Sequence, residues 1–226
     1  MSGRAEVPDW ERLLAQASVL QTKVPGAVLV GGTAAALHAG HRFSLDHDHV
    51  VRDLDRHYDE AVAALETIVG WRTTRRVKGK LVLGRVGGIE AGLRNQRRAA
   101  PLETTTIDAP SGRRLRVPTV PEMLRIKAFL LVERGATRDY LDVAALSDLL
   151  GPGGSVGALE SMNALYAEFA GEGGDMLTSV LVRLANPEPY DLTSVDLGEY
   201  RGIVAPWNDW EAVVAQCRQL AVALLA

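Results

Sequence analysis

Carboxylate and imidazole side chains alternate in one short stretch, at Asp46, His47, Asp48 and His49. Residues two apart in a β-strand project from the same face, so a strand here would separate the carboxylates from the imidazoles. Two neighbouring carboxylates repel each other unless a cation joins them, and Mg²⁺ prefers oxygen ligands. The pattern predicts that Asp46 and Asp48 bind a metal ion, with a solvent-facing acidic strand as the alternative.

Four of the five histidines lie between residues 38 and 49. This clustering makes a zinc site, and with it zinc-dependent hydrolysis, an alternative. A hydrolase of the H-x-H-x-D-H type needs a following Asp-His pair, and here the order is Asp-His-Asp-His. We therefore expect packing or surface roles for His47 and His49.

A glycine pair comes shortly before the carboxylates. The stretch "AVLVGGTAAALHAG" predicts a short buried strand, a turn at Gly31 and Gly32, and a helix that Thr33 caps and Gly40 ends. Glycines let the backbone approach a phosphate, and a helix N-terminus offers free N–H groups and a positive dipole. Gly31, Gly32 and Thr33 are therefore candidates for binding a phosphate, although an ordinary turn has the same sequence. The stretch is neither a Walker P-loop nor a GxGxxG fingerprint.

The elements that must position these residues divide the chain into two parts. Strand-like segments lie before about residue 118, ending in a predicted hairpin around Pro110, Ser111 and Gly112, and helical patterns follow. The glycine-rich residues 151–157 are predicted to be a flexible break between helices. This separation indicates an α+β protein with two subdomains, residues 1–118 and 119–226.

The composition limits the classes of protein. With 226 residues, 47% of them hydrophobic, the chain can bury a sizeable core. No apolar run approaches the roughly 20 residues that a bilayer-spanning helix needs, so we expect no membrane partner. Cys217 is the only cysteine, which excludes an internal disulfide and fits the reducing cytosol. Its apolar surroundings in the sequence indicate a core position, and we expect a cytoplasmic protein.

Positive charge is concentrated in the middle of the chain. Residues 72–116 contain twelve Lys or Arg and three acidic residues, although the whole chain has a net charge of −3. Such a distribution indicates a polyanion-binding surface, and nucleic acid is the polyanion that we expect. A solvated sheet with long basic side chains is the alternative.

Two motifs along the chain resemble, in the same order, those of the AbiEii-type nucleotidyltransferases, the toxins of type IV toxin–antitoxin and abortive-infection systems. The first motif comprises Gly31, Gly32, Thr33, Ala34, Arg42, Ser44, Asp46 and Asp48. The second comprises Lys127, Arg134, Arg138, Asp139 and Asp142. The resemblance covers roughly residues 24–150. The family has hydrophobic residues where this chain has His47 and His49.

The resemblance implies a polymerase-β-like nucleotidyltransferase core, a mixed sheet with flanking helices, followed by a helical C-terminal subdomain that completes the active site. It implies an NTP substrate, Mg²⁺ (or Mn²⁺) and transfer of a nucleoside monophosphate with release of pyrophosphate. Characterised relatives modify the 3′ end of tRNA and so block translation. Their usual partner is a cognate antitoxin protein.

The same resemblance implies individual roles. Arg42, Ser44 and Arg138 would bind nucleotide together with the glycine turn. Lys127 would contact the triphosphate or the leaving pyrophosphate, and Asp139 would position Lys127 or Arg138. Glu90 is the candidate for a third carboxylate, with an ordinary strand glutamate as the alternative. Arg134 is expected to be a surface or helix-end charge.

Two other functional classes stay open at this point. One is a nucleotidyltransferase that modifies a protein or a small molecule such as an aminoglycoside, against which the basic segment argues. The other is a catalytically silent module that binds nucleotide or RNA. Since Asp46 and Asp48 are both present, we favour an active enzyme.

Overall fold

The computed structural model describes residues 10–108, 112–169 and 175–226. The chain forms two compact units. The sheet unit comprises residues 1–34 and 44–118, and the helical unit comprises residues 35–43 and 119–226. The short segment 35–43 therefore belongs with helices that come much later in the chain.

The sheet unit contains seven strands in its described part, and α2 begins within it. Its elements are α1 (Trp10–Lys23), β1 (Val28–Val30), α2 (Gly31–Ala39), β2 (Asp46–Val51), α3 (Tyr58–Glu66), β3 (Trp71–Val77), β4 (Leu81–Val86), β5 (Ile89–Asn95), β6 (Thr104–Asp108) and β7 (Arg114–Pro118). Five strands form a mixed sheet in the order β1-β2-β5-β4-β3, in which only the β2–β5 pair is parallel. The parallel pair places Asp46 beside Glu90 and Asp48 beside Gly92.

One face of this sheet, the core face, packs against helices. The buried cluster includes Leu20 of α1, Leu65 of α3, Val82 of β4 and Leu93 of β5. Burying such aliphatic side chains stabilises a fold by about 1.5–3 kcal/mol each. The opposite face carries Asp46 and Asp48, and we call it the carboxylate face.

The strands β6 and β7 pair antiparallel as a separate ribbon, which confirms the predicted hairpin. Pro110 and Ser111 of its predicted turn lie outside the described residues.

The helical unit contains the end of α2 and five later helices in its described part. These are α4 (Val120–Glu133), α5 (Thr137–Leu159), α6 (Met162–Leu165), α7 (Met176–Ala185) and α8 (Trp210–Leu225). The N-cap of α4 is Thr119, whose hydroxyl accepts a hydrogen bond from the backbone N–H of Glu122, and Pro121 lies in the first turn. The helix α5 packs against both α4 and α8. In the described ranges, no helix combines the length and the apolar character that crossing a bilayer requires.

The predicted flexible break at residues 151–157 is wrong. Gly151 alone leaves the helical conformation, with φ of 68° and ψ of 171°, and the chain returns to helix until Leu159. Pro152 follows at the start of that second helical segment, where a missing N–H costs nothing. The glycine-rich segment is thus a kink within α5.

Candidate functional site

The glycine turn and one of the two aspartates are direct neighbours. The helix α2 begins at Gly31 immediately after β1. Gly31 has a φ of 74°, a backbone conformation that residues with a side chain rarely adopt. Val30 pairs with Asp48 across the β1–β2 ladder. A Cβ added at Gly31 would lie 3.5 Å from the Cβ of Asp48. The turn therefore leaves the N-terminus of α2 beside a carboxylate.

Two hydroxyl groups hold Asp46. The Thr33 hydroxyl donates to the backbone carbonyl of Asp46, and the Ser44 hydroxyl donates to its Oδ1 at 2.8 Å. The predicted capping role of Thr33 is wrong, because α2 begins at Gly31 and the buried hydroxyl binds the neighbouring strand. That Thr33 or Ser44 also contacts nucleotide stays a prediction.

Asp48 lies over a glycine of the parallel neighbour strand. Gly92 faces Asp48 in the register of β2 and β5, and a Cβ at position 92 would come within 2.2 Å of Asp48 Oδ1. Arg94, two residues further along β5, places its Nε 3.6 Å from the same oxygen. Sequence reasoning missed Gly92, although a glycine inside a strand often marks a close approach.

The histidines lie on the core face, as strand alternation predicts. His47 and His49 are buried, and their rings meet edge to face at a centroid distance of 5.4 Å. Burial lowers the pKa of His47 to about 4 and holds the pKa of His49 well below its ordinary value. Both rings are therefore neutral at pH 7. Within the described ranges, no cluster of three His, Cys, Asp or Glu side chains could hold a metal ion, so no zinc site is assembled there.

The carboxylate face offers a hard, oxygen-rich donor set. Asp46 and Asp48 share the face and are both partly exposed. Two protein carboxylates suit Mg²⁺, which keeps further positions for water and phosphate oxygens. That Asp46 and Asp48 bind such an ion stays a prediction.

Glu90 stands beside Asp46 on the same face of the sheet. Its side chain is 62% exposed and forms an ion pair with Arg85 of β4. Glu90 is a register neighbour of Asp46 on the same face, but among the described residues it does not form a group of three with Asp46 and Asp48 that could hold a metal ion. Its role in catalysis stays a prediction.

The second motif forms a buried ionic cluster in the helical unit. Lys127 is 1% exposed, and its Nζ lies 2.6 Å from Oδ2 of Asp142 and 3.7 Å from Oδ1 of Asp139. Arg134, the C-cap residue of α4, donates two hydrogen bonds to Asp139, at 2.6 and 2.7 Å. The expected helix-end charge is therefore also a specific partner of Asp139.

Asp142 is the centre of this cluster. Its carboxylate accepts hydrogen bonds from Arg42 Nε at 2.9 Å and Nη2 at 3.1 Å, and His41 Nε2 lies 2.7 Å away. Burial alone would raise the pKa of Asp142, but Arg42 and Lys127 outweigh it and hold the pKa well below its ordinary value. Asp142 thereby ties the segment 35–43 to α4 and α5.

The predicted site residues are thus distributed over both units. The sheet unit contains Gly31, Gly32, Thr33, Ser44, Asp46, Asp48 and Glu90, and the helical unit contains Arg42, Lys127, Arg138 and Asp139. In the helical unit Arg138 is exposed, whereas the other three are buried in the ionic cluster. Their roles in binding nucleotide stay predictions.

No family model matches this chain. Part of it is similar in sequence to MmpL11 proteins. The probable transport protein MmpL11 of Mycobacterium bovis is 37% identical over 133 residues, which cover 57% of this chain and 13% of that protein. The MmpL11 of Mycobacterium leprae is 32% identical over 133 residues, 58% of this chain and 12% of that protein. The chain thus spans only a small part of the curated relatives that it matches.

Solved structures share the fold over most of the chain. The nucleotidyltransferase toxin MenT4 of Mycobacterium tuberculosis has a TM-score of 0.61 and 18% identity, covering 99% of this chain and 86% of that one. A nucleotidyltransferase-like protein of Paracoccidioides brasiliensis has a TM-score of 0.53 and 19% identity, covering 80% and 90%. The antibiotic-resistance factor ANT(2'')-Ia has a TM-score of 0.53 and 15% identity, covering 70% and 94%. The predicted fold class is therefore confirmed: the chain has a nucleotidyltransferase fold, with a mixed sheet, flanking helices and a helical C-terminal part.

Proposed function

We propose that this chain is a Mg²⁺-dependent nucleotidyltransferase that transfers a nucleoside monophosphate from an NTP to RNA, at the 3′ end of a tRNA. One observation carries the proposal: Asp48 lies beside the Gly31 turn and shares the carboxylate face with Asp46. A helix N-terminus for phosphates next to paired carboxylates for a metal ion is the arrangement that a metal-bound triphosphate needs. The fold that this chain shares with solved nucleotidyltransferases such as MenT4 supports the proposal.

In the proposed reaction, an acceptor hydroxyl attacks the α-phosphorus of the NTP and forms a new P–O bond. The bond from the α-phosphorus to the bridging oxygen breaks, and pyrophosphate leaves with the electron pair. Glu90 is the candidate base for the hydroxyl proton. Mg²⁺ at Asp46 and Asp48 would neutralise phosphate charge and activate the hydroxyl.

The residues around the carboxylates have preparatory roles in this proposal. Thr33 and Ser44 fix Asp46 through hydrogen bonds, so the carboxylate needs little reorganisation before it binds the ion. The N–H groups at the start of α2 bind triphosphate oxygens. The bare backbone at Gly92 leaves the space that the Asp48 carboxylate occupies.

The biological part of the proposal is a toxin. It rests on the resemblance of the two motifs to the AbiEii type and on the shared fold with MenT4, which is named a nucleotidyltransferase toxin. Modification of tRNA 3′ ends would block aminoacylation and translation in the cytoplasm. A cognate antitoxin protein is the expected partner.

The test is transfer of label from α-labelled NTPs. Purified protein receives Mg²⁺, each NTP in turn, and total tRNA, cell lysate or tobramycin. We expect label on RNA, its loss with EDTA, and a decrease of roughly a hundredfold or more in Asp46→Ala and in Asp48→Asn. Asp59→Ala is the control, because Asp59 is an exposed acid that pairs with Lys78.

The other outcomes identify the other functional classes. Label only on protein or tobramycin would assign a different acceptor, and tobramycin is relevant because ANT(2'')-Ia has been solved with adenylyl-2''-tobramycin. Bound NTP without any transfer would contradict an enzymatic function. Growth arrest on overexpression of the wild type, but not of Asp48→Ala, is expected of a toxin.

A further inference from the structure

We propose that arginines on the carboxylate face of the sheet bind the phosphates of the acceptor RNA. This proposal rests on the function proposed above. We call this surface the arginine track. It consists of Arg72 and Arg75 on β3, Arg85 on β4 and Arg94 on β5.

The register of the sheet places these arginines on the face of the aspartates. Residues directly opposite each other in neighbouring strands project from the same face. One row across the sheet runs from Asp48 to Gly92, Leu83 and Arg75, because the register of β3 shifts between Thr73 and Arg75 and so puts Arg75 on the same face as Arg72. The next row runs from Asp46 to Glu90, Arg85 and Arg72. With strands about 4.8 Å apart, the track extends roughly 14 Å from the aspartates to β3.

The charge of Arg72 and Arg75 has no counterpart in the described part of the chain. Both side chains are exposed, and neither forms an ion pair with a described residue. Their neighbour Arg76 differs, since it lies on the opposite face of β3 and pairs with Glu66 of α3. In a chain of net charge −3, these two guanidinium groups create positive potential on the carboxylate face, at the strand farthest from the aspartates.

Nearer the aspartates, Arg85 pairs with Glu90, and Arg94 approaches Asp48 at 3.6 Å. The track thus begins at the carboxylates and continues over three strands, which suits a polymer with repeated phosphates better than a single nucleotide. A polycationic acceptor such as an aminoglycoside would be repelled by this surface. Charge complementarity therefore favours RNA.

A second basic surface in the sheet unit is the competing position for RNA. Arg114 and Arg116 of β7 line a groove of about 380 Å³ together with Gln21 and Gly26. Gly26 lies near Val51, at the end of β2 away from Asp46. We favour the arginine track, because its side chains share a face with the aspartates.

The experiment measures binding of fluorescein-labelled tRNA by anisotropy at several KCl concentrations, and the KM for tRNA in the transfer assay. We expect Arg72→Ala/Arg75→Ala to weaken tRNA binding roughly tenfold. The negative slope of the logarithm of the association constant against the logarithm of the salt concentration should become shallower by about two. The turnover number at saturating tRNA is expected to change less than twofold. Arg72→Lys/Arg75→Lys keeps both charges and should keep the slope.

Two control variants make the result specific. Arg76→Ala removes an arginine from the same strand but from the opposite face, and it should leave tRNA binding unchanged. Arg114→Ala/Arg116→Ala removes two exposed arginines from the competing groove. The proposal is overturned if only this second double variant weakens binding, or if Arg76→Ala has the same effect as Arg72→Ala/Arg75→Ala.

Failure of the track can be told from failure of the proposed function. Wild-type protein that labels RNA, with an unchanged KM and salt slope in Arg72→Ala/Arg75→Ala, would overturn the track alone. Wild-type protein that labels no RNA would overturn the acceptor and the track together. Unfolding midpoints of all variants, measured in urea, exclude loss of the fold as the cause.

Discussion

Asp48 and Gly92 face each other across the parallel β2–β5 pair, and the carboxylate occupies the space where a side chain at position 92 would begin. A Cβ there would lie 2.2 Å from Oδ1 of Asp48, closer than real Cβ atoms come to a neighbouring atom. The position of a candidate metal ligand thus depends on the absence of a side chain on another strand.

Replacing this glycine should move the carboxylate. We expect Gly92→Ala to lower the rate of transfer by roughly a hundredfold, because small misplacements of reacting groups have effects of that size. The measurement is the turnover number for label transfer to tRNA, with Mg²⁺ at saturation.

Gly84→Ala is the matched control for Gly92→Ala. Gly84 lies on the neighbouring strand β4, and its Cβ would meet the Trp71 ring at 2.4 Å on the core face. We expect this variant to lose about 1–3 kcal/mol of unfolding free energy through overpacking but to keep its turnover number. Equal losses of activity in both variants would contradict a specific role of Gly92.

Strand alternation was sufficient to predict which side chains share a face. Asp46 and Asp48 lie on the carboxylate face, and His47 and His49 are buried on the core face, as a period of two requires. Alternation carries no information about neighbours across the sheet. The contact of Gly92 with Asp48 depends on the parallel pairing and register of two strands that are far apart in the sequence.

Thr33 and Arg134 show why side-chain partners were harder to predict. A threonine after two glycines has the features of a helix cap, but α2 begins at Gly31 and the hydroxyl binds Asp46 instead. Arg134 ends an apolar helix, and its partner Asp139 belongs to the next helix, beyond the turn at Gly135. Both contacts form only when separate elements pack together.

The ionic cluster in the helical unit should depend strongly on Asp142. Asp142→Asn leaves Lys127 and Arg42 buried with less compensating charge, so we expect a loss of about 3–5 kcal/mol of unfolding free energy. Urea denaturation measures it. The exposed Asp148 on the same helix is the control, and Asp148→Asn should change stability by less than about 0.5 kcal/mol.

Lowering the pH should decrease the stability that this ionic cluster provides, because the pKa of Asp142 is shifted downward in the folded chain. The pKa of Asp142 is depressed in the folded chain, so its stabilisation is complete above the unfolded value of about 4 and is lost as the pH falls below it. Asp142→Asn should reduce the loss of stability below pH 4. An unchanged acid dependence would contradict a buried, ionised carboxylate.

Cys217 should be chemically inert in the folded protein. Burial raises the pKa of its thiol to about 12, and the thiolate is the nucleophilic form. We expect no alkylation by iodoacetamide at pH 8 in buffer and one adduct per chain in urea, measured by mass spectrometry. Rapid alkylation of the folded chain would contradict the core position that the sequence predicted.

The two buried histidines should make stability depend on pH above the range of the carboxylates. Burial lowers the pKa of His47 from 6.5 to about 4, so the unfolded chain binds more protons between these values. The free energy of unfolding should therefore fall as the pH decreases from 6.5 to 4, by up to about 3 kcal/mol from His47.

His47→Leu should remove this part of the pH dependence in urea titrations, while His49 retains its own. His57 is 65% exposed, and the control His57→Gln should change the unfolding free energy at pH 7 by less than about 0.5 kcal/mol. A wild-type pH dependence in His47→Leu would show that the ring is hydrated in the folded chain.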